Sequence, residues 1–272
     1  MNIRSLGIRT DLLFHRALGE VTERDDYLSI RFPRNPDYHW GNYLIFAAPP
    51  TPGDEERWLE IFRRELAANR PLNHLLLAWD LGAADPAVMA RFAARGLDPG
   101  RTLTLSATAV REPPRPNGEV AVRPLAADAE WEEAVRLHAL EHGEYDAAGY
   151  LEFTGGRFAD YRSLVRAGRG AWFGAYLGGR LAGSLGLFHG DGLARYQNVT
   201  THPELRRRGI CGTLVHAAAR VALDAWGVKT LVMEADPDEE AQRIYESVGF
   251  AVVEETGSLY WWSRPGGPPS PW

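Results

Sequence analysis

Residues 199–214 read VTTHPELRRRGICGTL, and this stretch decides the fold. A strand pattern ending at Thr201 runs into a turn rich in arginine and glycine, and the turn opens directly into an apolar helix pattern. The first amides of such a helix have no intrahelical partner, and the helix dipole adds partial positive charge there. Glycine lets a phosphate approach the backbone closely. The stretch therefore predicts a loop that cradles a diphosphate.

Two other phosphate-binding loops are excluded by residue type. A Walker loop needs Gly-Lys-Ser/Thr, which the sequence lacks, and Gly209-Ile210-Cys211-Gly212 does not supply the Rossmann fingerprint G-x-G-x-x-G. Taken alone, residues 206–212 also fit an arginine-rich solvated turn, so the interpretation depends on what surrounds them.

The surrounding segments predict a mixed domain with the order β-α-α-β-β-β-α-β-α-β-β. Gly178-Gly179 is typical of a two-residue hairpin turn, and Gly227 of a helix C-cap. Asp236-Pro237 is typical of a helix start. The predicted strands are 119–123, 171–177, 180–188, 193–201, 230–234, 250–253 and 258–262; the predicted helices begin at Asp128 and cover 161–167, 213–226 and the residues from Asp236 to Gly249.

Composition excludes several classes of protein. Of the 272 residues, 45% are hydrophobic and 24% are charged, which is ordinary for a soluble globular protein. No apolar run is long enough to cross a bilayer, and arginines interrupt residues 1–20, so we expect neither a membrane segment nor a secretory signal. Cys211 is the single cysteine, which excludes an intramolecular disulfide and a cysteine-based metal site. We therefore expect a cytoplasmic protein without a metal.

The formal net charge of −6 argues against nucleic acid as the main partner, because phosphate binding draws on a surplus of Lys and Arg. A cationic substrate is compatible with this charge, although mild acidity also serves solubility.

The motifs together resemble those of the GNAT superfamily of N-acetyltransferases. That family binds acetyl-CoA with Gln/Arg-x-x-Gly-x-Gly/Ala after a strand and before a helix, which residues 206–211 match with Cys211 in the second small position. An aromatic residue followed by Gly-Phe lies near the family's C-terminus, as Tyr245 and Gly249-Phe250 do here. The resemblance covers residues 119–262 and implies acetyl-CoA as co-substrate, without a metal, and a small-molecule or peptidic amine as acceptor. Asp238 departs from the family, in which Asn is common at this helix start.

The resemblance assigns a set of candidate site residues. The backbone N–H of Val199 matches the group that stabilises the oxyanion, and Tyr245 matches the general acid, although it also fits a core tyrosine. Cys211 is an alternative nucleophile that we discount, because the family transfers the acyl group directly. The residues expected to bind CoA are Val199, Thr200, Thr201, Arg206, Arg207, Arg208, Gly209, Ile210, Cys211, Gly212, Thr213 and Tyr245.

The acceptor amine must lose a proton, because an alkylammonium has a pKa near about 10. The candidates for its base are Glu141 and Glu144, then His142, Asp146, Glu234 and His189, and a chain of water leading to a remote carboxylate is a further alternative. The carboxylates at Glu141, Glu144 and Asp146 also suit attraction of a cationic amine.

The N-terminal half repeats the skeleton of the C-terminal half. Asn42, Gly53 and Asp80 have the spacing of Asn198, Gly209 and Asp236. The diphosphate loop is absent from this copy, because Asp54-Glu55-Glu56 stands at the helix start and would repel a phosphate.

The predicted architecture is therefore two GNAT-like α/β (α+β) domains, each with a mixed, mostly antiparallel central sheet flanked by helices. The predicted bounds are 1–110 for a degenerate domain without a CoA loop, 111–118 for a proline-rich linker, 119–263 for the catalytic domain and 264–272 for a flexible tail.

Three functions fit these observations. The first is direct transfer of an acetyl group from acetyl-CoA to a primary amine in a ternary complex. The second is a CoA-binding sensor or pseudoenzyme, and the third is an acyltransferase that uses a longer acyl or aminoacyl donor. The sequence leaves the acceptor and the oligomeric state, monomer or homodimer, open.

Overall fold

The structure is a computed structural model, and it describes residues 1–68, 72–143, 145–237 and 240–263. Its chain divides into two compact units. The first unit comprises Met1–Thr104 together with the chain from Val253, and the second comprises Leu105–Val252. Each unit is built around its own run of strands.

The first unit begins with a helix and continues with strands and helices in alternation. Its elements are α1 Leu6–Leu18, β1 Glu20–Glu23, β2 Tyr27–Arg31, β3 Tyr43–Phe46, α2 Asp54–Phe62, β4 His74–Trp79, α3 Pro86–Ala93, β5 Asp98–Ala107 and, from the end of the chain, β11 Ala251–Trp262. The strand order is β1-β2-β3-β4-β11-β5. Strands β1, β2 and β3 pair antiparallel, β3 pairs parallel to β4, and β11 pairs antiparallel to β4.

The second unit contains the segment that decided the fold. Its elements are β6 Val120–Pro124, α4 Asp128–Ala139, α5 Ala147–Arg166, β7 Gly170–Leu177, β8 Arg180–Gly190, β9 Leu193–Thr201, α6 Ile210–Ala225, β10 Thr230–Ala235 and α7 Glu240–Val248. The strand order is β10-β9-β8-β7-β6, in which β9 and β10 pair parallel and the other pairs are antiparallel. Gly178 and Gly179 have φ of 57° and 83°, which confirms the predicted hairpin turn.

The two units share one structural repeat. In each, a strand leads through a left-handed glycine into a helix, and the helix returns to a strand parallel to the first. The glycines are Gly53, with φ 97° before α2, and Gly209, with φ 76° before α6. The parallel pairs are β3 with β4 and β9 with β10. These mixed, mostly antiparallel sheets with flanking helices confirm the predicted fold class.

Three features differ from the sequence-based expectation. Helix α5 covers Ala147–Arg166 rather than 161–167, because the Asp146 side chain caps its start by accepting from the amide of Gly149. The two predicted closing strands form one strand, β11, whose pairing with β4 draws the end of the chain into the first unit. The second compact unit, Leu105–Val252, therefore differs in its bounds from the catalytic domain predicted at 119–263.

The proline-rich segment 111–118 lies inside the second unit, although its composition predicts a linker. Arg111 donates its amide to Val248 and its guanidinium to the carbonyls of Glu246 and Ser247. The prolines prevent the segment from forming a helix or a central strand, so its backbone groups must find other partners. The hydrogen bonds of Arg111 are such contacts, and they hold the start of the segment in place. The tail 264–272 lies outside the described residues.

Candidate functional site

An opening between two parallel strands organises the site. Strands β9 and β10 pair only at Leu193–Arg195 with Thr230–Val232, within the described part of the chain. Beyond Arg195 and Val232 both strands continue, β9 to Thr201 and β10 to Ala235, without further pairing to each other in that part of the chain. The backbone groups on their facing edges are therefore available to a ligand that enters between the strands.

A bulge lies in β9 beside this opening. The register with β8 shifts between Ser184 and Gly186, and Asn198 has φ of 48°, which is uncommon for a residue other than glycine. Such a bulge interrupts the hydrogen-bond ladder and reorients the backbone. Val199, the predicted oxyanion donor, lies within this interruption, between the paired Gln197 and Thr200.

The loop after β9 presents the start of α6. A short 3₁₀ turn, Pro203–Leu205, precedes the exposed Arg206, Arg207 and Arg208, and Gly209 then adopts the left-handed conformation as N-cap. Among the described residues, no side chain caps this helix, and its first turn contains no acidic residue. The first amides of α6 and three cationic side chains form a set of donors that suits a diphosphate.

The equivalent helix start in the first unit carries carboxylates. Glu55 accepts a hydrogen bond from the amide of Gly53 at 2.9 Å, and Asp54 accepts from the amide of Thr51 at 2.8 Å. The pKa of Glu55 is lowered chiefly by a hydrogen bond from its own backbone amide, and further by Arg91 and the amide of Gly53. In this copy, the chain's own carboxylates take the position that an anion would need.

Glu141 meets the candidate loop. Its Oε2 accepts from the Thr200 hydroxyl at 3.0 Å, and its Oε1 lies 3.2 Å from the Arg206 guanidinium. Arg206 also donates to the Thr201 carbonyl at 3.3 Å. Glu141, a predicted base candidate, thereby contacts two residues of the predicted CoA site, Thr200 and Arg206.

A buried network continues from Thr200 into the core. His138 lies 3.2 Å from the Thr200 hydroxyl through Nδ1 and 2.8 Å from the Ser184 hydroxyl through Nε2, and Trp172 donates to Ser184 at 3.2 Å. Burial lowers the pKa of His138 to about 3, so the imidazole is neutral. Because Thr200 donates to Glu141, the network is consistent when Nδ1 of His138 carries the proton and donates to Thr200.

Tyr245 lies on α7 and is buried, with 6% of its surface exposed. It is close enough to Tyr196 to contribute to that residue's pKa, which burial chiefly raises well above the usual value. Tyr196 is the first residue of β9 beyond the paired region, and its hydroxyl donates to the Val215 carbonyl at 2.9 Å. Tyr245 therefore lies beside the strand that borders the opening.

Burial raises the pKa of the Cys211 thiol to about 12. A thiol with so high a pKa holds almost no thiolate near neutral pH, and the thiolate is the nucleophilic form. The role of Cys211 as the second small residue of the loop stays a prediction.

The structure separates the remaining base candidates. Glu144 lies outside the described residues. His142 is held through Nδ1 to the Tyr145 carbonyl, and Asp146 caps α5. Glu234 pairs with the buried Arg195. His189 stacks on Trp226 and pairs with Ala194 of β9. It therefore lies away from Thr200, which pairs with Ser184 of the same strand.

Two residues that contact the loop or its strand were missed at the sequence level. His138 falls in the predicted helix that begins at Asp128, and Asn117 in the predicted linker 111–118, and the sequence assigns neither residue a role at the site. Asn117 donates its side-chain amide to the Arg208 carbonyl at 2.8 Å and its backbone amide to the Thr213 hydroxyl at 2.9 Å. The only signal for Asn117 in the sequence is that a polar residue ends a proline-rich segment, and this does not predict which residues it contacts.

Comparison with known proteins agrees with this geometry. Residues 124–250 match the family model described as Acetyltransferase (GNAT) family. A search of the curated proteins finds no match.

Solved structures share the fold over most of the chain. A functionally unknown conserved protein from Staphylococcus epidermidis ATCC 12228 is 13% identical, with a TM-score of 0.70 over 90% of this chain and 94% of that chain. A GCN5-related N-acetyltransferase from Kribbella flavida is 16% identical, with a TM-score of 0.63 over 94% and 96% of the two chains. A tandem GNAT protein from the clavulanic acid biosynthesis pathway is 17% identical, with a TM-score of 0.53 over 77% and 70%. These likenesses show the fold.

Within the described residues, no group of three or more His, Cys, Asp or Glu side chains is placed to hold a metal ion. Nor does that part of the chain contain a helix with the length and apolar character needed to cross a membrane.

Proposed function

We propose that the chain, whose residues 124–250 match the model of the acetyltransferase (GNAT) family, is an N-acetyltransferase that moves an acetyl group from acetyl-CoA to a primary amine. The observation that carries the proposal is the uncapped start of α6, opened by the left-handed Gly209 and preceded by three exposed arginines. The contrast with Gly53, whose amide already binds a carboxylate, supports a single site in the second unit.

In this proposal the amides at the start of α6 bind the diphosphate, and Arg206, Arg207 and Arg208 add positive charge around it. The acyl-bearing arm of the coenzyme enters between β9 and β10, where backbone pairing has ended. Acetyl-CoA supplies the thioester carbonyl and a thiolate leaving group. The rest of the chemistry belongs to the chain's own residues.

The neutral amine attacks the thioester carbonyl, the C–N bond forms and the C–S bond breaks. The Val199 amide, beside the bulge in β9, stabilises the negative charge that develops on the carbonyl oxygen. Tyr245 donates a proton to the leaving thiolate. Glu141 and Glu144 are the candidates that receive the proton of the amine, and Glu141 lies at the strand end through its bond to Thr200.

Turnover tests the proposal. The chain is incubated with acetyl-CoA and a panel of primary amines, and thiol release is followed. We expect Tyr245→Phe to lower kcat by about 100-fold, the usual scale for loss of a general acid.

Tyr196→Phe is the matched control, because it removes a neighbouring buried hydroxyl whose partner is a helix carbonyl. We expect this variant to lose stability and to keep kcat within about threefold, since a hydrogen bond of about 1 kcal/mol is lost without a group that touches the reaction. Binding of CoA without turnover across a broad panel would favour a sensor or pseudoenzyme instead.

A further inference from the structure

The proline-rich segment packs against the helix start that we propose to bind CoA. A Cβ placed on Gly209 would overlap the carbonyl oxygen of Arg115. A Cβ placed on Gly212 would lie 3.0 Å from Cβ of Pro113. The close approach of this segment therefore needs a glycine at position 209 and leaves little room at position 212, and the segment forms a wall behind the loop.

Asn117 ties that wall to both ends of the loop. Its side-chain amide donates to the Arg208 carbonyl at 2.8 Å, and its backbone amide donates to the Thr213 hydroxyl at 2.9 Å. The Thr213 hydroxyl in turn donates to the Gly209 carbonyl at 2.9 Å. The side-chain oxygen of Asn117 accepts from the Glu119 amide at 3.0 Å, which fixes the orientation of the side chain.

These contacts set the direction of two amides. In a trans peptide the C=O and the following N–H point in opposite directions. The peptide that contains the Arg208 carbonyl also contains the Gly209 amide, and the peptide that contains the Gly209 carbonyl also contains the Ile210 amide. Because Asn117 holds the Arg208 carbonyl toward the wall, the Gly209 amide points away from it. The Gly209 carbonyl accepts from both the amide and the hydroxyl of Thr213 within α6, so the Ile210 amide points out of the start of the helix.

We propose that Asn117, which also contacts Thr213, is a positioning residue that aims the Gly209 amide, beside that of Ile210, at the diphosphate of the coenzyme. This inference rests on the proposed function. It gives the segment 113–117 a role in donor binding, and that role does not depend on contact with the reacting atoms.

Two acyl donors separate positioning from general structural damage. Acetyl-CoA carries the diphosphate, whereas S-acetylpantetheine carries the same thioester without it. We expect Asn117→Ala to lower kcat/KM for acetyl-CoA by about 10-fold, the scale of one hydrogen bond to a charged group, and to leave kcat/KM for S-acetylpantetheine unchanged. The loss should appear in KM, because the diphosphate is bound equally in the ground and transition states.

Thr213 provides an internal check on the same chain of contacts. Thr213→Val removes the hydroxyl that links Asn117 to the Gly209 carbonyl, and we expect it to reproduce the loss of donor discrimination. Thr213→Ser restores the hydroxyl and should recover most of that discrimination. Equal loss with both donors, or a Val variant that behaves like the Ser variant, would overturn the inference.

Calorimetry with CoA alone distinguishes failure of the proposed function from failure of the positioning role of Asn117. A wild-type chain that fails to bind CoA would overturn the proposed function, and this inference with it. A wild-type chain that binds CoA, together with an Asn117→Ala variant of equal affinity and unchanged melting temperature, would overturn the positioning role alone.

Discussion

Gly209→Ala should destabilise the loop before α6, because the backbone conformation and the packing at this position both disfavour a Cβ. Gly209 has φ of 76°, in the left-handed region where a Cβ is unfavourable, and the added methyl would overlap the Arg115 carbonyl oxygen. The chain offers a matched control in Gly53→Ala. Gly53 has φ of 97° at the same position of the other repeat, and nothing lies within 4 Å of its added Cβ.

The two variants differ by the cost of the overlap. Both introduce left-handed strain of about 1 kcal/mol. Gly209→Ala must in addition displace the segment around Arg115 and strain its hydrogen bonds through Asn117, which adds about 2 kcal/mol on the usual scale for overpacking. We therefore expect a loss of about 3 kcal/mol for Gly209→Ala and about 1 kcal/mol for Gly53→Ala in the free energy of unfolding.

Thermal unfolding and calorimetry with CoA measure the two consequences. At about 3 °C per kcal/mol, Gly209→Ala should lower the melting temperature by about 9 °C and Gly53→Ala by about 3 °C. The affinity for CoA should fall by at least about 10-fold in the first variant and stay unchanged in the second. Equal destabilisation by the two variants would refute the steric reasoning, and an unchanged CoA affinity in Gly209→Ala would refute the role of the loop.

Three further predictions follow from the buried groups. Burial lowers the pKa of His74 to about 4 and of His138 to about 3, against about 6.5 in the unfolded chain. The unfolded chain therefore binds more protons below pH 6.5, and stability in urea unfolding should be full above about pH 6.5 and fall toward pH 4 by up to about 1.4 kcal/mol per pH unit for each histidine; equal stability at pH 7 and pH 5 would contradict this. Thr200→Val should cost about 1–3 kcal/mol by leaving the Nδ1 proton of His138 unpaired, whereas Thr200→Ser should restore most of that stability in the same melts. Cys211 should react slowly with iodoacetamide at pH 8 in the native chain and rapidly in urea, and rapid native alkylation would show that its thiol is not held at a pKa of about 12.

Local signals in the sequence predicted the core of the second unit well. The hairpin glycines, the strand before residues 202–208 and the helix after Gly209 lie where their residue types place them, because each depends on neighbours along the chain. The repeat was visible for the same reason, since Gly53 and Gly209 each open a helix in the left-handed conformation.

Features that depend on distant pairing were not visible. Residues Ser258–Trp262 of strand β11 pair with His74–Ala78 of β4. The residue pattern of neither segment predicts that it pairs with the other. The contacts of Asn117 with Arg208 and Thr213 join residues more than ninety positions apart. The bulge at Asn198 and the network through His138 also arise from register and packing, which a pattern of residue types does not encode.

Titration calorimetry of the wild-type chain with CoA tests the central claim most directly. If the uncapped amides at the start of α6 form the coenzyme site and the carboxylates at Gly53 close the other copy, the titration should saturate at one molecule of CoA per chain. The affinity should also weaken as salt is raised, since phosphate contacts are screened. Absence of binding, or saturation at two molecules per chain, would contradict the account.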